Sequence, residues 1–232
     1  MFNNSTIFRN NTPVSTNIII INALVWGACI LLQRKGLNLY DLLGLHFVTA
    51  SDFKLFQFFT YMFMHDTSSI AHLFFNMFAV FMFGRVIEST WGSARFLSFY
   101  LITGLGAGVI QQLAWWFDMR EILSSAIELV RFPNGNTLTV ADYLNLHVTV
   151  GASGAVFGIL LAFGMMFPNV PLYILFIPIP IKAKYVVIGY GLFELGAGVA
   201  NFSFDNIAHF AHLGGMLFGF ILIKIWQRRA AR

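Results

Sequence analysis

Six stretches of about 20 mostly apolar residues recur along the chain, and no other feature restricts its folding as strongly. A helix that crosses a bilayer needs ~20 such residues, because lipid offers no partner for a backbone N–H or C=O and the helix must satisfy them internally. The stretches are 16–33, 69–87, 95–117, 150–167, 183–201 and 206–226. They predict an all-α integral membrane protein with six transmembrane helices in one bundle. Composition agrees: 58% of the 232 residues are hydrophobic and 10% are charged, and Phe alone, at 27, outnumbers the 14 basic and 10 acidic residues together. A soluble domain of this size could not cover so much apolar surface. The single cysteine, Cys29, excludes a disulfide framework and a cysteine metal site. The net charge of +4 is scattered, with no basic stripe or motif for nucleic acid. No repeat, low-complexity tract or second domain is visible, so residues 1–232 read as one membrane-embedded domain.

Orientation follows from Lys and Arg. The first run leads into Gln33-Arg34-Lys35 rather than a small-residue cleavage site, so it is expected to be retained as a span. With the amino terminus cytoplasmic, the inner segments carry Arg9, Arg85, Arg95, Lys182, Lys184, Lys224, Arg228, Arg229 and Arg232. The outer ones carry only Arg34, Lys35, Lys54, Arg120 and Arg131. The positive-inside rule favours that orientation, and the expected setting is a bacterial inner membrane. Residues 34–68 are rich in Leu, Phe and Tyr and are expected to rest partly in the membrane. Within 118–149, the piece Met119–Val130 places Ile122, Leu123, Ala126, Leu129 and Val130 near one helical face. An interfacial helix fits that pattern, and an ordinary outer loop is the alternative. The short apolar piece Leu172–Ile181, with Pro178 and Pro180, is expected at the interface.

Polar side chains inside the hydrocarbon region are costly and point to function. Ser153 is the only hydroxyl of the fourth stretch from Val150 to Phe167, His209 and His212 share a face in the sixth, and His72 and Asn76 lie at i, i+4 in the second. Each has a plain alternative: a packing serine among glycines, a metal or haem pair, an asparagine bonding between helices. Their placement is less easily dismissed. The second, fourth and sixth spans enter from one side, and counting from Ser69, Val150 and Asn206 puts His72, Ser153 and His212 within about one turn of the same depth. Gly154 and Gly158, and Gly215 and Gly219, form Gly-x-x-x-Gly steps that let helices approach closely.

These residues carry a resemblance to the rhomboid family of intramembrane serine proteases. Gly151-Ala-Ser153-Gly154 resembles the family's Gly-x-Ser-Gly motif, and Ala211-His212-Leu-Gly-Gly215 is similar to its Ala-His-x-x-Gly. His72-Leu-Phe-Phe-Asn76 matches its His-x-x-x-Asn, and Gly84-Arg-Val-Ile-Glu88 resembles a further segment. The similarity runs from about Phe56 to Gly219. It implies a six-helix rhomboid-like bundle with Ser153 as nucleophile and His212 as base in a dyad that needs no acid. It further implies an oxyanion site of His72, Asn76 and the Ser153 amide, with Gly151, Gly154, Phe157 and Gly215 in support. Phe157 stands where family members often stack a ring on the base. Phe56-Gln57 stands where some members carry Trp-Arg, so a loop role does not transfer from that pair.

The implied partners are transmembrane protein substrates in a lipid bilayer, with no cofactor, no metal and no nucleic acid; no signature sets an oligomeric state. His209 is assigned a structural role near the site. Glu194, inside the fifth stretch, is either a functional carboxylate or, the preferred reading, a structural hydrogen-bonding group. Two other functions remain open: an inactive rhomboid-like protein that binds membrane proteins, and a proton- or metal-coupled transporter built on Glu194, His65, His72, His209 and His212.

Overall fold

The computed structural model describes residues 12–173, 179–200 and 208–230. The expected positions Arg9, Pro178, Asn206 and Arg232 lie outside the described residues. Six main helices follow in order: α1 (Pro13–Gln33), α2 (Ile70–Trp91), α3 (Ser93–Ser124), α4 (Ser153–Met166), α5 (Ala183–Ala200) and α6 (His209–Ala230). Among the described residues, α1, α2, α3 and α6 are long and apolar enough to cross a membrane. The protein is a multi-pass, all-α membrane bundle.

Local chemistry sets the helix ends. Pro13 opens α1, where its missing N–H is no loss and its φ is already helical. The Ser69 side chain accepts from the Ala71 N–H and caps α2. Gly92, at φ +83°, separates α2 from α3 with a backbone that side-chain-bearing residues rarely adopt. A π-helical turn at Val80–Gly84 interrupts α2 and turns Val80 fully into the core.

One end of the bundle is tied by a buried carboxylate. Glu88 Oε1 accepts from the Val14 N–H at 3.0 Å and the Ser93 hydroxyl at 2.7 Å. Glu88 Oε2 accepts from the Ser15 N–H at 2.7 Å and the Ser15 hydroxyl at 2.6 Å. It therefore caps the amino terminus of α1, where unpaired N–H groups and the helix dipole favour an anion, while joining α1 to the α2–α3 corner. At this same end Trp226 of α6 meets Trp91, and Arg95 lies 4.3 Å from the Trp226 ring centre.

The centre of the bundle is the crossing of α4 with α6. The α4 helix is lined with small residues, and Gly154, Ala155, Gly158, Ala162 and Gly164 are all buried. A Cβ on Gly215 would overlap the carbonyl oxygen of Gly154, and one on Gly158 would lie 3.1 Å from the Gly215 carbonyl oxygen. Backbone thus packs on backbone, which only glycine permits. Helix α3 closes the group, with Thr103 and Ala107 against the same glycines. Helix α5 rests on α6 and α4 more sparsely.

The 34–68 connection folds into a cap. Strand β1 (Leu45–His46) pairs antiparallel with β2 (Val148–Thr149), so the cap is joined to the residues just before α4. Gln57, fully buried at 0% exposure, accepts from the His46 and Lys54 N–H groups and donates to the Leu42 and Asp52 carbonyls. Gln112 of α3 accepts from the Val48 N–H and donates to the His46 carbonyl. Leu37, Leu42, Leu55, Phe56 and Phe59 stay exposed on the cap, an apolar surface suited to lipid.

Two expectations are corrected. The piece Met119–Val130 is not an interfacial helix: its first part extends α3 to Ser124, and Leu129–Arg131 forms strand β3, paired with β4 (Thr137–Thr139). Met119 is buried with Trp115, Phe47 and Leu144, so tertiary packing prolongs α3 beyond its lipid-length apolar run. The fourth stretch becomes helical only at Ser153, because β2 and Gly151, at φ +134°, occupy the positions expected to begin it.

Replacing Glu88 leaves several donors at the α1 and α3 starts without an acceptor, each worth ~1–3 kcal/mol when buried. Glu88→Ala is expected to lower stability by about 3 kcal/mol, read as a lower unfolding midpoint in detergent, with Glu88→Gln intermediate. An unchanged midpoint for Glu88→Ala would show the capping to be incidental.

Candidate active site

At the opposite end of the bundle, three helix starts converge. Ser153 is the first residue of α4, His72 the third of α2 and His212 the fourth of α6. Chain direction alone brings them to one level, and the glycine crossing closes the lateral distance. Ser153 Oγ lies 2.8 Å from His212 Nε2. The Phe157 ring, one turn along α4, stacks on the imidazole at 4.3 Å between centroids with planes 8° apart.

The other imidazole nitrogen is also engaged. His212 Nδ1 lies 2.9 Å from Glu194 Oε2, and His209 Nδ1 lies 2.6 Å from the same oxygen. An ionised carboxylate only accepts, so each Nδ1–H donates to it. In neutral His212 this leaves Nε2 as the acceptor for the Ser153 hydroxyl. His209, His212 and Glu194 are buried, at 6%, 7% and 5% exposure.

Gly151 shapes the space beside the hydroxyl. A Cβ there would stand 2.9 Å from His72 Nε2 and 3.5 Å from Ser153 Oγ, so glycine leaves between imidazole and hydroxyl only a narrow hollow, too tight for a methyl group. Its N–H donates to the Tyr61 carbonyl at 2.9 Å, and the Tyr61 hydroxyl donates to the Gly104 carbonyl at 2.7 Å. The cap and α3 therefore hold the segment that delivers Ser153. His72 Nδ1 accepts from the Asp66 N–H at 3.3 Å, which puts the ring proton on Nε2, facing the hollow. Asn76 is buried one turn below and donates through Nδ2 to the His72 carbonyl at 2.9 Å. His65, in the cap, meets the His72 ring edge-on at 4.9 Å. Burial, aided by His72, pushes His65 down to about 3, so it remains neutral beside the hollow.

The structure thus gathers Ser153, His212, His72, Phe157, Gly151, Gly154 and Gly215 in one place, with Asn76 beneath. Sequence reasoning missed the engagement of Glu194. Only its level was readable: α5 and α6 are consecutive, so a carboxylate six residues before the end of α5 returns to the level of the first turn of α6. It also missed Gln57, which anchors the cap from the position where Phe56-Gln57 replaces Trp-Arg. Among the described residues, Glu194, His209 and His212 are the one set with ligand atoms close enough to hold a metal, within 4.8 Å of one another. Both Nδ1 atoms aim at one carboxylate oxygen, the arrangement of two hydrogen bonds rather than of ligands around a central ion.

Comparison with known proteins agrees with this architecture. The Rhomboid domain model matches residues 52–229. RHOMBOID-like protein 6, mitochondrial, of Arabidopsis thaliana is 28% identical over 70% of this chain and 41% of its own length. Rhomboid protease AarA of Providencia stuartii is 28% identical over 69% of this chain and 52% of its own length. The chain thus spans about half the length of these curated relatives. YdcA of Bacillus subtilis is 25% identical over 94% of this chain and 92% of its own length. A domain match that takes in α2 to α6, over a fold whose helix starts meet as described, makes this chain a member of the rhomboid family.

Proposed function

We propose that this chain is an intramembrane serine endopeptidase that cleaves transmembrane segments of membrane-anchored proteins. The 2.8 Å contact between Ser153 Oγ and His212 Nε2, made across the α4–α6 crossing, carries the reading. A serine hydroxyl is a weak nucleophile until an adjacent base takes its proton, and that contact supports His212 as the base.

In the proposed reaction the Ser153 oxygen bonds to the scissile carbonyl carbon as its proton passes to His212 Nε2. The carbonyl oxygen becomes an oxyanion in the hollow beside Gly151. The His72 Nε2–H, Asn76 and the Ser153 amide, an N–H at a helix start with no intrahelical acceptor, supply its hydrogen bonds. His212 then gives the proton to the leaving nitrogen as the C–N bond breaks. Water attacks the resulting ester by the same steps in reverse order and frees Ser153.

Water and substrate must both reach a site inside the bilayer. With the amino terminus cytoplasmic, the helix starts of α2, α4 and α6 face the outside, and a polar cavity open on that side is the shortest route for water. A substrate helix arrives sideways from lipid and unwinds locally to expose a peptide bond. Cleavage near the outer end of its span, at small or helix-breaking residues, follows, with the outer connections and α5 as the gate.

Ser153→Ala and His212→Ala are each expected to remove cleavage of a co-expressed single-span substrate, a loss on the order of 10⁶ in turnover, without loss of the folded protein. A serine-directed fluorophosphonate is expected to label wild type and not Ser153→Ala; a transporter or an inactive binder would remain unlabelled. His72→Ala and Asn76→Ala are expected to slow cleavage ~10²–10³-fold each, short of the loss at Ser153, since other donors remain. Wild-type rates in both would assign these residues to packing. For topology, Ser153→Cys in a Cys29→Ala background is expected to react with a membrane-impermeant thiol reagent from the outside only. Reaction from the cytoplasmic side alone would reverse the orientation.

A further inference from the structure

Glu194 is the buried charge that a two-residue mechanism leaves without a task. A carboxylate taken out of water loses several kcal/mol of solvation unless hydrogen bonds replace it. Here two imidazole N–H groups do so on a single oxygen, from His212 at 2.9 Å and His209 at 2.6 Å. Burying an acid in α5 merely to dock that helix on α6 would be an expensive choice where Gln or an apolar residue would pack. Aiming it at the far nitrogen of the imidazole that touches Ser153 has three physical consequences. It fixes the tautomer with Nε2 as acceptor, it holds the ring plane against rotation, and it stabilises the imidazolium formed when the hydroxyl gives up its proton. The stacked Phe157 ring restrains tilt of the imidazole but does none of these.

Building on the serine protease reading, we propose that Glu194 is a positioning residue for the base. Its carboxylate holds His212 toward Ser153, and His209 holds the carboxylate, so that α4, α6 and α5 supply a Ser153–His212–Glu194 chain of hydrogen bonds. His209 acts through Glu194 and touches neither Ser153 nor the hollow. Because the acid comes from α5, the base is complete only while α5 lies against α6.

Other groups bear on the same imidazole. His72 faces it from α2 across Ser153, with Asp66 behind His72, and His209 shares its helix. Of these only Glu194 is an anion in contact with the ring, through Nδ1.

The test uses the purified full chain, with the rate of fluorophosphonate labelling at Ser153 and turnover of a quenched-fluorescent transmembrane peptide as readouts. Glu194→Gln preserves size and a hydrogen-bond acceptor but removes the charge. It is expected to slow labelling and kcat on the order of 10²–10⁴-fold, with KM little changed, as for loss of the orienting acid in serine proteases. Glu194→Asp, which keeps the charge on a shorter arm, is expected to recover part of the rate. A purely structural Glu194 would lower the unfolding midpoint while the folded fraction labelled at the wild-type rate, and that result would overturn the proposal. So would Glu194→Asp no faster than Glu194→Gln at equal folded fraction, the arm that decides if Gln impairs folding. Wild-type inactivation by EDTA as complete as Ser153→Ala would overturn it in favour of a metal site. Labelling of wild type with no difference in Glu194→Gln removes this proposal alone, whereas no labelling of wild type removes the protease reading and this inference with it.

Discussion

Gly154 and Gly215 meet backbone to backbone, and the end of the bundle that carries Ser153 is arranged around that contact. Two helices with ordinary side chains pack 8–10 Å apart between axes. A serine hydroxyl and an imidazole reach only a few ångströms from their own backbones, so they touch only if the helices approach more closely. The glycines supply the approach, and Thr103 and Ala107 of α3 hold it from behind. In lipid this packing is not driven by the hydrophobic effect, because tails and side chains are equally apolar. Close dispersion contact between small residues takes its place.

The cap shows a different kind of constraint. Between α1 and α2 the chain folds back on the bundle without a helix long enough to span, and its buried backbone groups need partners within the protein. Gln57 and Gln112 supply many of these, and β1 pairs with β2. The cap is thereby joined to the segment that sets Gly151 at φ +134°. The Gly151 N–H on the Tyr61 carbonyl completes the attachment. Rigidity at the hydroxyl therefore comes from hydrogen bonds outside the helices, at the level where lipid gives way to interface.

Much of this was legible in the sequence for a physical reason. Lipid imposes length and apolarity on spanning helices, so the stretches stand out, and Ser153, His72 and His212 stand out as polar residues inside them. Direction of travel then fixes their common level. What the sequence hid depends on contacts between distant segments. The pairing of Leu45–His46 with Val148–Thr149 has no local signature, and it is what delays the start of α4 to Ser153. Met119–Val130 has a helical pattern, yet only its first part is helical, continuing α3 past the packing of Trp115 and Met119 on Phe47 and Leu144, a contact invisible to periodicity. Glu194 could be recognised as a buried acid but not paired, because rotation of α5 about its axis decides whether it meets the histidines or lipid.

The shortness of α4 bears on the electric field at its end. Fourteen residues rise ~21 Å at 1.5 Å each, less than the ~30 Å of hydrocarbon in a bilayer. A helix of that length cannot reach both surfaces, so one terminus stops below the headgroups. Its aligned peptide dipoles concentrate about half a positive charge at the amino terminus. At a water-exposed end that potential is screened; below the membrane surface the screening is weaker and the field persists. The first N–H groups of α4 also lack intrahelical acceptors there, and in hydrocarbon they must be met by water or by an anion. Where the amino terminus is the end that stops short, a truncated helix favours water and negative charge at a level that hydrocarbon would otherwise keep dry.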